Sequence, residues 1–590
     1  MNKRVNTDRK KSLDLAVLYR ILSYLKPYKQ NFAWALFTTI LLAGISPVRP
    51  WLVQYTIDHS IAKSDFQLLV ILTFCMIGLL MLETLLQFAD SYLSTWLGQK
   101  VIKDIRVQVF SSITNFKLAY FDKNAVGTLV TRAVSDTEAI ADIFSQGLLT
   151  IIGDLLKLTV LLFVMFFTDW RLALVSISTV PILIIATVWF KNAVKKSFQD
   201  VRNQVAKLNA FVQEHLSGMQ LVQIFNREQE ELKKFSEINL DHTKANIRSI
   251  WHYSVFFPIV EILSSISLGL LVWFGAEQVM ENKISIGHLI AFIMYINMMF
   301  RPIRMLADRF NTLQMGMVSS ERVFKIIDTN ENISDKGNLT TKFKGDIEFK
   351  DVWFAYEKDN WVLKNLSFKV RSGQKIALVG ATGSGKTSIT SLINRFYEYQ
   401  SGTVFIDDVK IEDFDLSHLR NSIGIVLQDV FLFSDTIMNN ITLGDSSILE
   451  TRVIEAAKLI GIHNFIMQLP GNYNYNVMER GATLSVGQRQ LLAFLRVYVH
   501  NPSILILDEA TSSIDSESEE LIQRAMEILT LNRTAIIVAH RLSTIKSVDQ
   551  ILVLDKGVLI EKGTHLELIQ RGGAYFNLVE KQFNSPRVLE

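Results

Sequence analysis

A single cysteine, nine prolines and 28 glycines in 590 residues exclude several classes of protein. Cys75 alone permits no internal disulfide framework, no Cys-rich zinc site and no protein-held iron–sulfur cluster, and it reads as a small apolar filler. So little proline and glycine rules out a collagen-like or proline-rich chain. Net charge is scarce too. A formal +3 argues against a nucleic-acid binder driven by overall charge and against an acidic disordered chain. What is present is apolar: 49% of residues are hydrophobic and only 20% are charged. At roughly 100–200 residues per domain the length accommodates three or four domain-sized units.

The apolar residues are concentrated in the first half. Six segments, at about 32–54, 67–89, 147–168, 171–190, 252–276 and 285–306, match the roughly 20 apolar residues needed to cross a bilayer core. One such run also reads as a buried core helix, but six separated by loops do not. Lys3, Arg4, Arg9, Lys10, Lys11, Arg20, Lys26 and Lys29 outnumber Asp8 and Asp14 ahead of the first segment. The positive-inside tendency places this end in the cytoplasm, and six spans return the chain to the same side. The chain is therefore expected to be multi-pass with both termini cytoplasmic. The connectors on the far side are short, at about 57–66, Asp169–Trp170 and about 277–284. Those on the near side, about 90–146 and 191–251, are long and charged and read as helices continuing into the cytosol. The charged start runs directly into a full-length span, unlike a cleavable signal peptide. Residues 14–30 form an amphipathic pattern suited to the inner membrane surface.

Several residues in or near these spans invite a reading. Pro47 and Pro50 predict a kink in the first span. Glu83, Asp154, Lys157 and Glu261 are ionisable groups where burial is costly, so each faces a cavity or a partner. Asp154 and Lys157, three apart on a helix, are placed to pair with each other, whereas spacing along the sequence offers Glu83 and Glu261 as the better candidates to face a cavity. The Met- and aromatic-rich Phe292–Phe300 suits either adaptable apolar binding or plain helix and lipid contact.

The composition changes after about residue 328. A polar linker over 329–345 leads into short β-rich runs alternating with helical ones, the pattern of an α/β domain with a largely parallel sheet. The expected organisation is a cytoplasmic N-terminal segment (1–31), a six-span α-helical membrane domain (32–328), the linker (329–345), an α/β phosphate-loop domain (346–582) and a tail (583–590).

The sharpest motif is GATGSGKT, comprising Gly380, Ala381, Thr382, Gly383, Ser384, Gly385, Lys386 and Thr387, followed by Ser388 at the start of a helical run. It stands between the strand pattern KIALV and that helix, the context its chemistry requires. The glycines let backbone N–H groups curl around phosphate oxygens, and the helix N-terminus adds a favourable field. Lys386 would reach the β- and γ-phosphates and Thr387 would hold Mg²⁺. Further on, ILILDE places Asp508 and Glu509 at the end of an apolar strand. Asp508 can support Mg²⁺, and Glu509 can orient and polarise an attacking water.

Together with LSVGQRQ (Leu484–Gln490), these motifs resemble the ATP-binding cassette of ABC transporters. The chain from about 14 to 580 resembles a bacterial half-transporter exporter of the multidrug and lipid-flippase type. The resemblance implies that Ser485, Gly487 and Gln488 belong to the family signature Leu-Ser-Gly-Gly-Gln, with Val486 replacing its first glycine. It further implies that Tyr356 stacks on adenine, Gln428 senses Mg²⁺ and contacts the membrane domain, Asp515 couples the two sites, and His540 is a switch near the γ-phosphate. ATP and Mg²⁺ are the implied cofactors. Two cassettes would close head to tail over two ATP molecules, so a second half-transporter is required, a homodimer being favoured over a heterodimer. Membrane lipid and a hydrophobic or amphipathic substrate are the other implied partners, and nucleic acid is not. Asn124–Ile140 and Glu214–Glu231 resemble coupling helices that dock on cassettes. The competing functions are an ATP-gated channel of the same architecture and a cassette ATPase without transport, the latter disfavoured by the six spans.

Overall fold

The computed structural model describes residues 15–333, 337–508, 516–539 and 542–583. The chain forms two compact units. One comprises Met1–Thr114 and Val126–Thr329, the other Asn115–Ala125 and Asn330–Glu590.

The first unit is helical. α1 (Leu15–Ser23) buries Ile21 and exposes Leu15 and Tyr19, as the amphipathic pattern requires. Arg20 holds the far end of the unit through a two-pronged pair with Asp328, at 2.6 and 2.7 Å. The first span is split into α2 (Lys29–Ile45) and α3 (Val48–Thr56), with Pro47 capping the second piece. Proline lacks the N–H that would continue the helix, which is why the break falls there. α4 (Phe66–Thr114) is followed by α5 (Leu118–Lys123), which belongs to the other unit. Then come α6 (Val126–Thr131), α7 (Thr137–Asp142), α8 (Leu149–Thr168), α9 (Trp170–Ile177), α10 (Val180–Ser217), α11 (Met219–Ile224), α12 (Glu228–Met280) and α13 (Ile286–Ile327). Among the described residues, six stretches, each a helix or consecutive helices, are long and apolar enough to span a membrane. α4 and α12 have 49 and 53 residues. At 1.5 Å per residue each is about 75–80 Å long, more than twice the roughly 30 Å hydrocarbon core, so both extend well beyond it. Inside the unit Leu161, Met165, Phe190, Phe256 and Tyr295 pack together, Phe190 stacking on Phe256 at 3.9 Å. Outside it, Phe74, Phe88, Phe167 and Trp273 are largely exposed, an arrangement suited to lipid rather than water.

The ionisable groups find partners that local spacing did not indicate. Asp154 pairs with Arg309 of α13, not with Lys157. Arg309 also donates to the Thr150 carbonyl at 3.3 Å, so it bridges two helices where a pairing within one turn was expected. Lys157 instead lies within electrostatic reach of Asp90, Glu83 and Arg301. Glu83 has a partner after all: Arg49, at 3.9 Å. Glu261 lines an open cleft of about 740 Å³ with Phe257, Pro258, Ile262, Ser265 and Ile266.

The second unit holds two sheets. β1 (Ile347–Ala355), β2 (Trp361–Val370), β4 (Ser401–Ile406) and β5 (Val409–Lys410) form an antiparallel sheet in the order β2-β1-β4-β5. The other runs β10-β9-β3-β8-β7-β6, from β3 (Lys375–Val379), β6 (Ile423–Val426), β7 (Ile504–Asp508), β8 (Thr534–Val538), β9 (Gln550–Asp555) and β10 (Val558–Gly563). Its pairings are parallel except β9 with β10. Both faces of this sheet are covered. Ile376, Leu378, Ile504 and Ile506 face one core, while Ala377, Val379, Leu505 and Leu507 face the other. That two-sided burial explains why KIALV and ILIL are unbroken apolar runs rather than alternating ones. α14 (Lys386–Ile393), α15 (Leu416–Ser422), α16 (Ile437–Thr442), α17 (Glu450–Ile460), α18 (His463–Gln468), α19 (Val486–His500) and α20 (Ser516–Thr530) complete the parts of the unit that bear on the site.

Candidate nucleotide site

The loop Gly380–Gly385 leaves the C-terminal end of β3 and enters α14. Gly383 and Gly385 adopt φ of +82° and +101°, a region that side-chain-bearing residues avoid. Gly385 caps α14, and a Cβ there would lie 2.6 Å from a Leu363 methyl. Lys386 folds back over the loop, its Nζ donating to the carbonyls of Gly380 and Ala381 at 2.7 and 3.1 Å. Burial lowers its pKa, and the nearby Asp508 carboxylate works against that shift. Ser384 is buried and its hydroxyl has no hydrogen-bond partner among the described residues. An orphaned buried donor in a glycine-shaped cradle is costly unless a ligand satisfies it, and phosphate oxygens would do so. Ala381, Thr382, Gly383 and Thr387 are exposed.

Tyr356, just after β1, is 43% exposed. Its hydroxyl meets Ser388 Oγ of α14 at 3.0 Å, and its ring stands edge-on to Tyr397 at 4.9 Å. Asp508 ends β7, two strands from β3 with β8 between them, which brings strand end and loop to the same edge of the sheet. Gln428 is exposed in the loop after β6. That loop borders a groove of about 740 Å³ lined in part by Leu427, Phe431, Leu443 and Arg496. Ser485 caps α19 in a complete capping box: its Oγ accepts from Gln488 N at 3.2 Å and its N donates to Gln488 Oε1 at 2.9 Å. Gly487 is buried, whereas Ser485 and Val486 are exposed at the helix start. Glu509, Asp515 and His540 lie outside the described residues.

A cluster around α5 carries no signature in the sequence. Lys117 N donates to Glu331 O at 2.8 Å, Lys117 Nζ pairs with Glu398 at 3.3 Å, and Tyr397 OH donates to Asp122 at 2.5 Å. These contacts to the cassette lie upstream of Asn124–Ile140, the segment singled out from the sequence. Nothing in local spacing could have shown them, because Asp122 and Tyr397 are 275 positions apart. In the second long connector α11 falls within Glu214–Glu231, with Leu221, Ile224 and Phe225 exposed.

The chain matches the ABC transporter transmembrane region over residues 32–303 and the ABC transporter cassette over 363–512. It is 37% identical over 579 residues to the uncharacterized ABC transporter ATP-binding protein YknV of Bacillus subtilis (strain 168), covering 98% of this chain and 96% of that protein. To the probable multidrug resistance ABC transporter YheH of the same organism it is 36% identical, covering 87% and 77% of the two chains. To an ATP-dependent lipid A-core flippase of Syntrophus aciditrophicus (strain SB) it is 32% identical, covering 97% and 96%. A structure of a bacterial Atm1-family ABC exporter with ATP bound superposes with a TM-score of 0.77 at 27% identity, covering 97% of this chain and all of that one.

The fold and the phosphate loop therefore define a multi-pass membrane ATPase in which transmembrane helices and an ATP-binding cassette share one polypeptide. The chain belongs to the ABC transporter family, and it couples ATP hydrolysis to transport. Having one membrane region and one cassette, it is a half-transporter whose architecture implies dimerisation.

Proposed function

We propose that the chain exports or flips a hydrophobic or amphipathic substrate across a bacterial inner membrane as a homodimer, its cassettes in the cytoplasm. One observation carries this reading: a complete phosphate loop and an exposed signature helix start are both present on a cassette fused to six spans. The likeness to multidrug exporters and lipid flippases supports export over an ATP-gated channel.

At the nucleotide, the amides of Gly383–Lys386 and the Lys386 ammonium would hold the phosphates, and Tyr356 would stack on adenine. Mg²⁺ fits the donors available, namely the Thr387 hydroxyl, the Asp508 carboxylate and the Gln428 amide. When bound it neutralises developing phosphate charge. By the family resemblance, Glu509 would orient water, His540 would act near the γ-phosphate, and Asp515 would link the two sites. Ser485, with the amides opening α19 at Gly487 and Gln488, reaches the γ-phosphate held by the partner. Binding energy across that interface closes the cassettes, and hydrolysis releases them.

The test is to reconstitute the purified chain in nanodiscs. ATPase stimulation is measured against cationic amphipathic dyes and defined lipids, followed by flux in inside-out vesicles. ATP-dependent accumulation of a stimulating compound is expected. Passive, ATP-gated ion conductance without uphill accumulation would show a channel instead.

A further inference from the structure

The second unit contains a continuous path from the phosphate-loop helix to α5. It starts at Ser388 Oγ on α14, which meets the Tyr356 hydroxyl at 3.0 Å. The Tyr356 ring then stands edge-on against Tyr397, with centroids 4.9 Å apart and planes at 88°. Phe354 backs both rings, at 4.7 and 6.0 Å. The path ends where the Tyr397 hydroxyl donates to Asp122 Oδ2 at 2.5 Å. Burial, followed by the bond to Asp122, pushes the Tyr397 phenol above its ordinary value, which keeps it a donor. α5 is also fixed from its other end by the Lys117 contacts to Glu331 and Glu398. In sequence, α5 directly follows the long span helix α4, which ends at Thr114.

Tyr356 is thus held twice, by its hydroxyl on α14 and by its ring on Tyr397, while 43% of it stays exposed for a base. Edge-to-face packing fixes ring orientation as well as burying area. Tyr397 can fix that orientation only if it is itself fixed, and the charge-assisted bond to Asp122 does this. Freeing Tyr397 would give both rings more rotamers, and stacking a base would then have to order them.

We propose that Tyr397 is a positioning residue that couples adenine stacking on Tyr356 to the membrane-connected helix α5 through its hydrogen bond to Asp122. The proposal rests on the reading of Tyr356 as the adenine platform. Coupling of this kind is reciprocal: if α5 affects the base, base binding affects α5 by the same factor.

The experiment uses the full chain in nanodiscs in a Glu509→Gln background, in the cold. Equilibrium binding of Mg·ATP is compared with that of Mg·tripolyphosphate, which has the phosphates but no base. Tyr356→Ala should weaken ATP about tenfold, the loss of one base stack, and leave tripolyphosphate unchanged. Asp122→Ala and Tyr397→Phe should each weaken ATP about fivefold, again sparing tripolyphosphate. The double variant should be no weaker than either single one, and Asp122→Asn, which keeps the acceptor, should fall between wild type and Asp122→Ala. Equal losses for both ligands would mean general loosening of the cassette and would overturn the relay, as would additive single effects or no effect on ATP. If Tyr356→Ala separates ATP from tripolyphosphate while Asp122→Ala and Tyr397→Phe do nothing, only the relay fails. If Tyr356→Ala does not separate them, the adenine platform fails and takes the relay with it.

Discussion

The Lys386 ammonium lies 2.7 Å from the carbonyl oxygen of Gly380, the first residue of its own loop. The lysine therefore spans the cradle it serves, and phosphate oxygens would take over the charge-assisted bonds that Gly380 and Ala381 now accept. Lys386→Ala should lower ATP affinity at least about a hundredfold, because two bonds to a charged group are worth about 1.5–3 kcal/mol each. Calorimetric titration of the nanodisc-embedded variant checks this, with circular dichroism confirming the fold. Unchanged affinity would mean that the loop does not bind phosphate.

What the sequence could reveal depended on how local each feature is. The six spans, the Pro47 break and the loop between β3 and α14 are encoded in contiguous residues, and all were readable. β1 lies among the β-rich runs that follow the linker, but its place in a separate antiparallel sheet was not readable, since that depends on pairing with Ser401–Ile406 some fifty positions away. Asp154 shows the same limit. An i, i+3 rule pointed to Lys157, whereas the helix packing brings in Arg309 from 155 positions away. The aromatic pair Tyr356–Tyr397 and its link to Asp122 have no signature in sequence at all.

Glu509 follows Asp508 at the end of β7. Glu509→Gln should retain ATP binding and reduce turnover by about 10²–10⁴, the usual loss when a base or water-orienting group is removed. The variant should accumulate as a closed, ATP-loaded dimer. Phosphate release measured in nanodiscs decides it, and near wild-type hydrolysis would remove Glu509 from its assigned role.

His215 gives a pH dependence in the hairpin of α10 and α12. Its two ring nitrogens lie 2.8 Å from Phe211 O and 2.8 Å from Glu231 Oε2, so both contacts are complete only in the imidazolium form. The bond to the Phe211 carbonyl, and then the Glu231 carboxylate, raise its pKa. A raised folded-state pKa stabilises the hairpin fully below the unfolded value of about 6.5, and that stabilisation is lost as pH rises through the folded value. Hydrogen exchange over residues 211–231 should therefore be slower at about pH 6 than at about pH 8.5 after correction for intrinsic rates. His215→Gln should abolish the difference; if the difference persists, the effect belongs to another group.

The exposed Leu221 and Ile224 of α11 and its C-cap Phe225 need cover in the working protein. If α11 is a coupling helix, Leu221→Cys should crosslink to a cysteine placed at Leu443, which lines the same groove as Leu427 and Asp429. The product should be a covalent dimer, joining α11 of one subunit to the cassette of its partner. Gel mobility separates this from a crosslink within one chain. No crosslink with or without ATP would reduce α11 to a surface turn.

Val486 is where the chain departs from its family signature. The position lies outside the left-handed region, immediately after an N-cap whose hydrogen bonds are complete, so the helix start itself does not require glycine there. Its side chain is 45% exposed, leaving the partner's nucleotide as what it could obstruct. A β-branched Cβ beside Ser485 restricts close approach without removing the serine or the amides. In a homodimer both sites carry this change equally, so the chain alone should hydrolyse ATP, and Val486→Gly should alter turnover less than about tenfold, about 1.4 kcal/mol. The same variant should melt slightly lower, because glycine costs up to about 1 kcal/mol in a helix relative to alanine. Steady-state ATPase and thermal unfolding of the purified chain measure both. A chain inactive on its own, not rescued by Val486→Gly but restored by a sister half-transporter, would replace the homodimer with a heterodimer in which Val486 serves the weaker of two sites.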